Sequence, residues 1–257
     1  MNYSYIILLF ILNIIIFFPN CYFFNKDSIV TYKSKKIYNK KWLIVLGTGR
    51  SGTTTILHMV NGISNTIHIQ GETHNLPLFL LKLKNKIFNL PRKIRGAYYS
   101  MPLNKKKVLD SLQKIVVSQM GNLDNKKIIG FKEVTITDQK TLTFLQELFP
   151  NAKYIINWRF DTMKQLRSKT KNNMNRNNVP EARLIENMMS LRKWAKTLKP
   201  ENVFYLPLEN FSLEKFNKLI TFVGFKECTF NFILHNNNGS YIQDKRKNLL
   251  SNKCKEL

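Results

Sequence analysis

Gly47-Thr48-Gly49-Arg50-Ser51-Gly52 separates an apolar run at 42–46 from an amphipathic stretch that opens at Thr53, and no other segment constrains the chain as much. The run has the length of a buried strand and the stretch after it has helical spacing, so the order is strand, glycine turn, helix. In that context glycines let the backbone turn tightly, successive amides point inward, and the helix offers an unsatisfied N-terminus to an anion. Ser51, Thr53 and Thr54 add hydroxyl donors, and Arg50 adds a fixed charge on a forked donor. The Gly47 to Gly52 spacing fits G-x-x-x-x-G, yet Thr53 stands where a nucleoside triphosphate loop carries its lysine. That departure argues against an ordinary ATPase or kinase, whose lysine reaches the terminal phosphates.

Further apolar runs at 127–131, 154–156 and 203–206 alternate with helical stretches, which predicts an α/β fold with a central parallel sheet, a P-loop-like three-layer sandwich. With 257 residues, 44% of them hydrophobic, the chain has material for one well-buried domain and is excluded from the disordered and collagen-like classes. The Asn-rich stretch at 172–178 reads as a surface loop. A net charge of +25 favours a polyanionic partner such as nucleic acid, anionic membrane, a phosphate-bearing ligand or an acidic glycan, without choosing among them. Residues 1–40 hold only five of the lysines and one aspartate, so the basicity belongs to the folded part. Three cysteines make no disulfide scaffold, although Cys228 and Cys254 have the makings of one bridge in an oxidising compartment. No C-x-x-C or His/Cys cluster suggests a metal.

Gly49-Arg50-Ser51-Gly52-Thr53-Thr54 resembles the 5′-phosphosulfate loop of sulfotransferases, in which Lys or Arg precedes Ser-Gly-Thr-Thr. The resemblance implies the sulfotransferase fold and the donor 3′-phosphoadenosine 5′-phosphosulfate, held by these six residues without a metal. A second stretch, Phe149-Pro150-Asn151-Ala152-Lys153-Tyr154-Ile155-Ile156-Asn157-Trp158-Arg159, is similar to the strand leading to the family's 3′-phosphate site, which implies Arg159 as a ligand of that phosphate. The family places a serine eight residues beyond this arginine; here Arg167 stands at eight and Ser168 at nine, so Ser168 fits with one extra residue in the turn. A third stretch, Val203-Phe204-Tyr205-Leu206-Pro207-Leu208-Glu209-Asn210-Phe211, with the helix ending in Phe222-Val223-Gly224, resembles the family's late strand, acidic turn and Phe-x-Gly helix end and implies support of the fold. The likeness covers about residues 42–241; Arg246-Lys247-Asn248 departs from the Arg-Lys-Gly tail of cytosolic members. Residues 228–241 resemble a donor-covering loop, and Asn238 and Asn210 also stand in glycosylation sequons.

Sulfuryl transfer asks for an acceptor oxygen in line with the leaving phosphate, a group to take the acceptor's proton and positive charge on the leaving oxygen. Gly71-Glu72-Thr73-His74 looks like the Gly-Glu segment that carries the general base in membrane-associated sulfotransferases such as the tyrosylprotein enzymes, which implies Glu72. His74 is the local rival, an imidazole on the same segment, and Glu133 the distant one. Arg50 and Lys132, in Gly130-Phe131-Lys132-Glu133 where related enzymes also carry a lysine, suit the leaving group.

At the N-terminus, residues 1–24 form a signal-anchor or cleaved signal segment with an apolar run from Tyr5, 25–40 form a basic stem, and 41–257 form the catalytic domain. The resemblance implies a Golgi-type enzyme with a lumenal body, whereas lysines following the apolar run predict a cytoplasmic one. The expected activity is transfer from 3′-phosphoadenosine 5′-phosphosulfate to a hydroxyl, on a glycan, with membrane attachment through residues 5–24 and no nucleic acid. The acceptor loops are expected at 75–105 and 172–185. The rival functions are a P-loop kinase of a small molecule or nucleotide and a non-catalytic polyanion-binding protein.

Overall fold

The structure, a computed structural model, describes residues 40–89, 103–171, 181–234 and 248–257. The targeting segment, almost all of the stem, the Asn-rich stretch, the sequon at Asn238 and Arg246-Lys247 lie outside the described residues, as do parts of the two expected acceptor loops. Among the described residues no helix is long and apolar enough to cross a membrane.

Five strands build one parallel sheet: β1 (Lys41–Gly47), β2 (Ile67–Gln70), β3 (Ile128–Glu133), β4 (Lys153–Asn157) and β5 (Val203–Tyr205), in the order β2-β3-β1-β4-β5. The expected α/β fold with a central parallel sheet is therefore present. Parallel strands buried on both faces read as continuous apolar runs, which is why 42–46 and 154–156 announce themselves without alternation. The period of two still sorts the faces. Leu43, Val45 and Ile155 point to one side, where they share a core with Ile56, Met59 and Val60 of α1 (Thr53–Ile63) and Phe216, Leu219 and Ile220 of α7 (Leu213–Val223). Tyr154 points to the other, where its ring meets Trp194 of α6 (Glu181–Ala195) edge-on at 5.1 Å.

The same opposite layer holds α2 (Leu76–Phe88), α3 (Lys105–Ser118) and α4 (Gln139–Leu148), with α5 (Thr162–Lys171) between β4 and α6 in the chain. Helix starts are set by short polar side chains: Asp138 accepts from Thr141 N at 2.8 Å, Asn104 from Lys107 N at 3.1 Å and Ser212 from Lys215 N at 3.2 Å. After α7, β6 (Phe225–Lys226) pairs antiparallel with β7 (Lys255–Glu256), and Cys228 is disulfide-bonded to Cys254 across the same join. The C-terminal segment is thereby tied to the α1/α7 face, into which Leu249 is buried.

Candidate active site

Four adjacent strands deliver the sequence-predicted residues at their C-terminal ends. Glu72 follows β2, Lys132 lies near the end of β3, the glycine loop follows β1 and Arg159 follows β4. The chain leaves β1 toward β2 and β3 and returns to β4 on its other side, so the loop sits at the switch in strand order where open α/β sheets bind ligands. Successive strands stand about 4.8 Å apart, which sets Lys132 and Arg159 two strands, about 10 Å, from one another along the sheet edge.

The loop itself is built for an anion. Gly49 and Arg50 have φ values of 69° and 54°, two consecutive left-handed residues, and Gly52 caps α1 at φ 86°. Among the described residues no side chain caps α1, and no carboxylate stands in its first turn, so its N-terminal amides are left for a ligand. Gly52 is also held by space: a Cβ there would lie 2.8 Å from Phe211 Cε2 and 2.9 Å from Leu208 Cδ1. The residues after β5 thus close the back of the loop.

The four expected loop side chains do not share one environment. Thr54 is partly exposed at the helix start, whereas Thr53 is buried. Ser51, expected to add a hydroxyl to the cradle, is fully buried and donates to Asn157 Oδ1, while Asn157 Nδ2 donates to Leu206 O at 2.7 Å. Its hydroxyl braces the loop against the end of β4 and leaves only the loop's backbone for an anion at that position. Arg50 is exposed, and its Nε donates to Ser168 Oγ at 3.0 Å. Of the two residues in question on α5, Ser168 faces the loop and Arg167 is exposed.

Arg159 keeps a donor in reserve: its Nε–H is buried and donates to no acceptor among the described residues. A buried donor without an acceptor is costly, and an incoming anion removes the cost. Glu209, in the acidic turn singled out from the sequence, accepts from Phe160 N at 3.1 Å and Asp161 N at 3.3 Å and so fixes the turn after Arg159. Asp161 in turn caps α5; the backbone hydrogen bond from Lys164, then its ion pair, holds the carboxyl below the usual aspartate range.

At the other end of the row Lys132 Nζ donates to Glu72 Oε1 at 2.7 Å. The lysine side chain is 8% exposed and the carboxylate 43%, so a nearly buried cation is compensated by a partly exposed carboxylate. Glu133 is disposed otherwise. It is 1% exposed and accepts from Thr73 N at 2.7 Å, from Thr73 Oγ1 and from Thr135 Oγ1 at 3.3 Å. Its work is to hold the loop that carries Glu72, and it is not accessible to an acceptor. His74 is exposed, in a left-handed conformation at φ 52°.

Among solved structures the chain is similar to the sulfotransferase domain from the Synechococcus PCC 7002 olefin synthase, with 16% identity, 72% of this chain and 74% of that one covered, and a TM-score of 0.49. It is similar also to the sulfotransferase domain from the curacin biosynthetic pathway, at 17% identity over 72% and 74% of the two chains with a TM-score of 0.46. A sulfotransferase from Alicyclobacillus acidocaldarius covers 81% of this chain and 88% of its own at 11% identity and a TM-score of 0.46. No family model and no curated protein matches the chain.

Sequence reasoning missed Asn157, Thr73 and Gln165. Gln165 is 1% exposed on α5, one helical turn before Ser168, and a hydrophilic residue three positions from a candidate ligand was the available signal. Among the described residues no group of three His, Cys, Asp or Glu is placed to hold a metal.

Proposed function

We propose that the chain is a sulfotransferase that moves a sulfuryl group from 3′-phosphoadenosine 5′-phosphosulfate to a hydroxyl, with a glycan as acceptor. The observation that carries this is the Lys132–Glu72 ion pair at one end of a row whose centre is an anion loop without the nucleoside triphosphate lysine. Arg159, with its unpartnered Nε on the far side of the loop, supplies a second anion position, as a donor bearing a 3′-phosphate requires. The donor's 5′ end would lie on the amides of 49–53 with Arg50, and its 3′-phosphate on Arg159 and Ser168.

In the transfer the acceptor oxygen bonds to sulfur as the bond from sulfur to the bridging phosphate oxygen breaks. Glu72 takes the acceptor's proton, and Lys132 and Arg50 meet the charge that appears on the leaving phosphate. A carboxylate is a weak base, and its task is eased because proton removal keeps pace with bond formation. Lys132 exchanges part of its contact with Glu72 for the leaving oxygen, so the pair links base and leaving-group stabiliser in one unit.

A glycan acceptor is supported by the basic surface, which attracts acidic polymers. A secretory, lumenal location is supported by the Cys228–Cys254 bridge, since such bonds persist in oxidising compartments. Incubation with donor labelled on the sulfuryl group and a panel of glycans, tyrosine peptides and small alcohols tests the proposal: label appears on a glycan. Label transfer to none of them, together with phosphoryl transfer from ATP, would replace it with the kinase.

A further inference from the structure

We infer that Gln165 is a positioning residue for the anion loop: by holding the carbonyls of Thr48 and Gly49 it turns the amides of Gly49 and Arg50 toward the donor's 5′ end. This rests on the loop's role proposed above. Gln165 Nε2 donates to Thr48 O at 2.9 Å, to Thr48 Oγ1 at 3.1 Å and to Gly49 O at 2.5 Å, all from a side chain that is 1% exposed. Two carbonyls of consecutive peptides therefore converge on one amide nitrogen.

A trans peptide is planar, with its carbonyl and N–H pointing in opposite directions, and the chain has no cis peptide among the described residues. Fixing Thr48 O on Gln165 aims the Gly49 N–H away from α5, and fixing Gly49 O does the same for the Arg50 N–H. Neither amide makes a backbone hydrogen bond among the described residues. The left-handed conformations of Gly49 and Arg50 are the other half of the device, because consecutive residues of this kind gather their amides into a concavity for an anion. A non-glycine residue at φ 54° is strained, and Gln165, beside the Ser51–Asn157 brace, holds the backbone of the strand-to-helix turn in that form. Ser168, one turn further along the same helix, touches Arg50 from the same side. Helix α5 thus orders both the backbone and the side chain of the loop while carrying none of the transferred group itself.

The test compares Gln165→Met, which keeps length and loses the donor, with the wild-type chain in binding adenosine 3′,5′-bisphosphate and adenosine 3′-phosphate. The second ligand lacks the 5′-phosphate and meets only the Arg159 end. The wild-type preference for the bisphosphate should fall by at least about tenfold in the variant, with affinity for adenosine 3′-phosphate within about threefold, since one charge-assisted contact is worth about tenfold or more. A merely structural role would weaken both ligands alike. In parallel, inorganic pyrophosphate should shift the Gly49 and Arg50 amide resonances of the wild type and not those of the variant. An unchanged preference, or wild-type amides that ignore pyrophosphate, overturns the inference. Gln165-dependent amide shifts in a chain that binds neither nucleotide would leave it standing and remove the sulfotransferase instead. Should Gln165→Met not fold, Gln165→Asn, which keeps the amide and falls short of the carbonyls, is read by the same two measurements.

Discussion

Glu72→Gln lowers turnover by about 10² to 10⁴-fold, the usual worth of a general base, and leaves donor affinity within about threefold. The substitution keeps the shape and the oxygen that accepts from Lys132 while removing the basicity. It also takes the negative charge from a nearly buried lysine, and that cation becomes more available to the donor, so affinity moves toward tighter binding if it moves. Lys132→Ala behaves differently: rate and donor affinity fall together, because the leaving oxygen is anionic in the ground state and more so in the transition state. Steady-state kinetics on both variants separate the two patterns. His74→Ala retains most of the wild-type rate, as its side chain is exposed and Lys132 pairs with Glu72 instead. A Glu72→Gln enzyme with more than a tenth of the wild-type rate beside a dead His74→Ala would move the base two residues along the loop.

Removal of the Cys228–Cys254 bridge, by serine at both positions, lowers stability by about 3.5 kcal/mol. The bond closes a loop of 26 residues in sequence separation, and opening it returns that closure entropy to the unfolded chain. For a domain of this size the loss is a fall in Tm of about 7 to 14 °C, read by circular dichroism. The tail that it ties down contributes buried Leu249 and the β6–β7 pairing, so the loss is felt in the α1/α7 core as well as at the terminus. A Tm within 2 °C of the wild type would mean that strand pairing and Leu249 hold the tail unaided.

Strands β1, β3 and β4 were legible because strands buried on both faces are apolar throughout and stop at a glycine or a polar residue, and the edge strand β5 because it is a short run of Val, Phe and Tyr before a proline turn. The loop was legible for a related reason, since local chemistry dictates a local turn. What was hidden depends on which strands become neighbours. Ser51 meets Asn157 across 106 residues and Gln165 meets Thr48 across 117, and neither partner can be read until β1 and β4 are known to be adjacent. Glu133 looked like a candidate base from its place beside Lys132. Alternation along β3 sends neighbouring side chains to opposite faces, so Lys132 reaches Glu72 and Glu133 goes to Thr73. That Ser168 meets Arg50 while Arg167 is exposed could not be read by counting, because the count passes through a turn. The Cys228–Cys254 bridge was open to the sequence as a possibility, and the structure forms it beside the β6–β7 join.

The donor is the central claim, and thermal stabilisation by adenosine 3′,5′-bisphosphate against ATP with magnesium tests it most directly. The bisphosphate would place one anion on the loop and another on Arg159, whose buried Nε donates to no acceptor among the described residues, whereas ATP has no 3′-phosphate and finds no lysine at Thr53 for its terminal phosphates. The bisphosphate should raise the Tm and ATP much less, and Arg159→Ala should weaken the bisphosphate by about 1.5 to 3 kcal/mol, roughly 10- to 150-fold in Kd. Equal stabilisation by the two nucleotides, unchanged in Arg159→Ala, would contradict it.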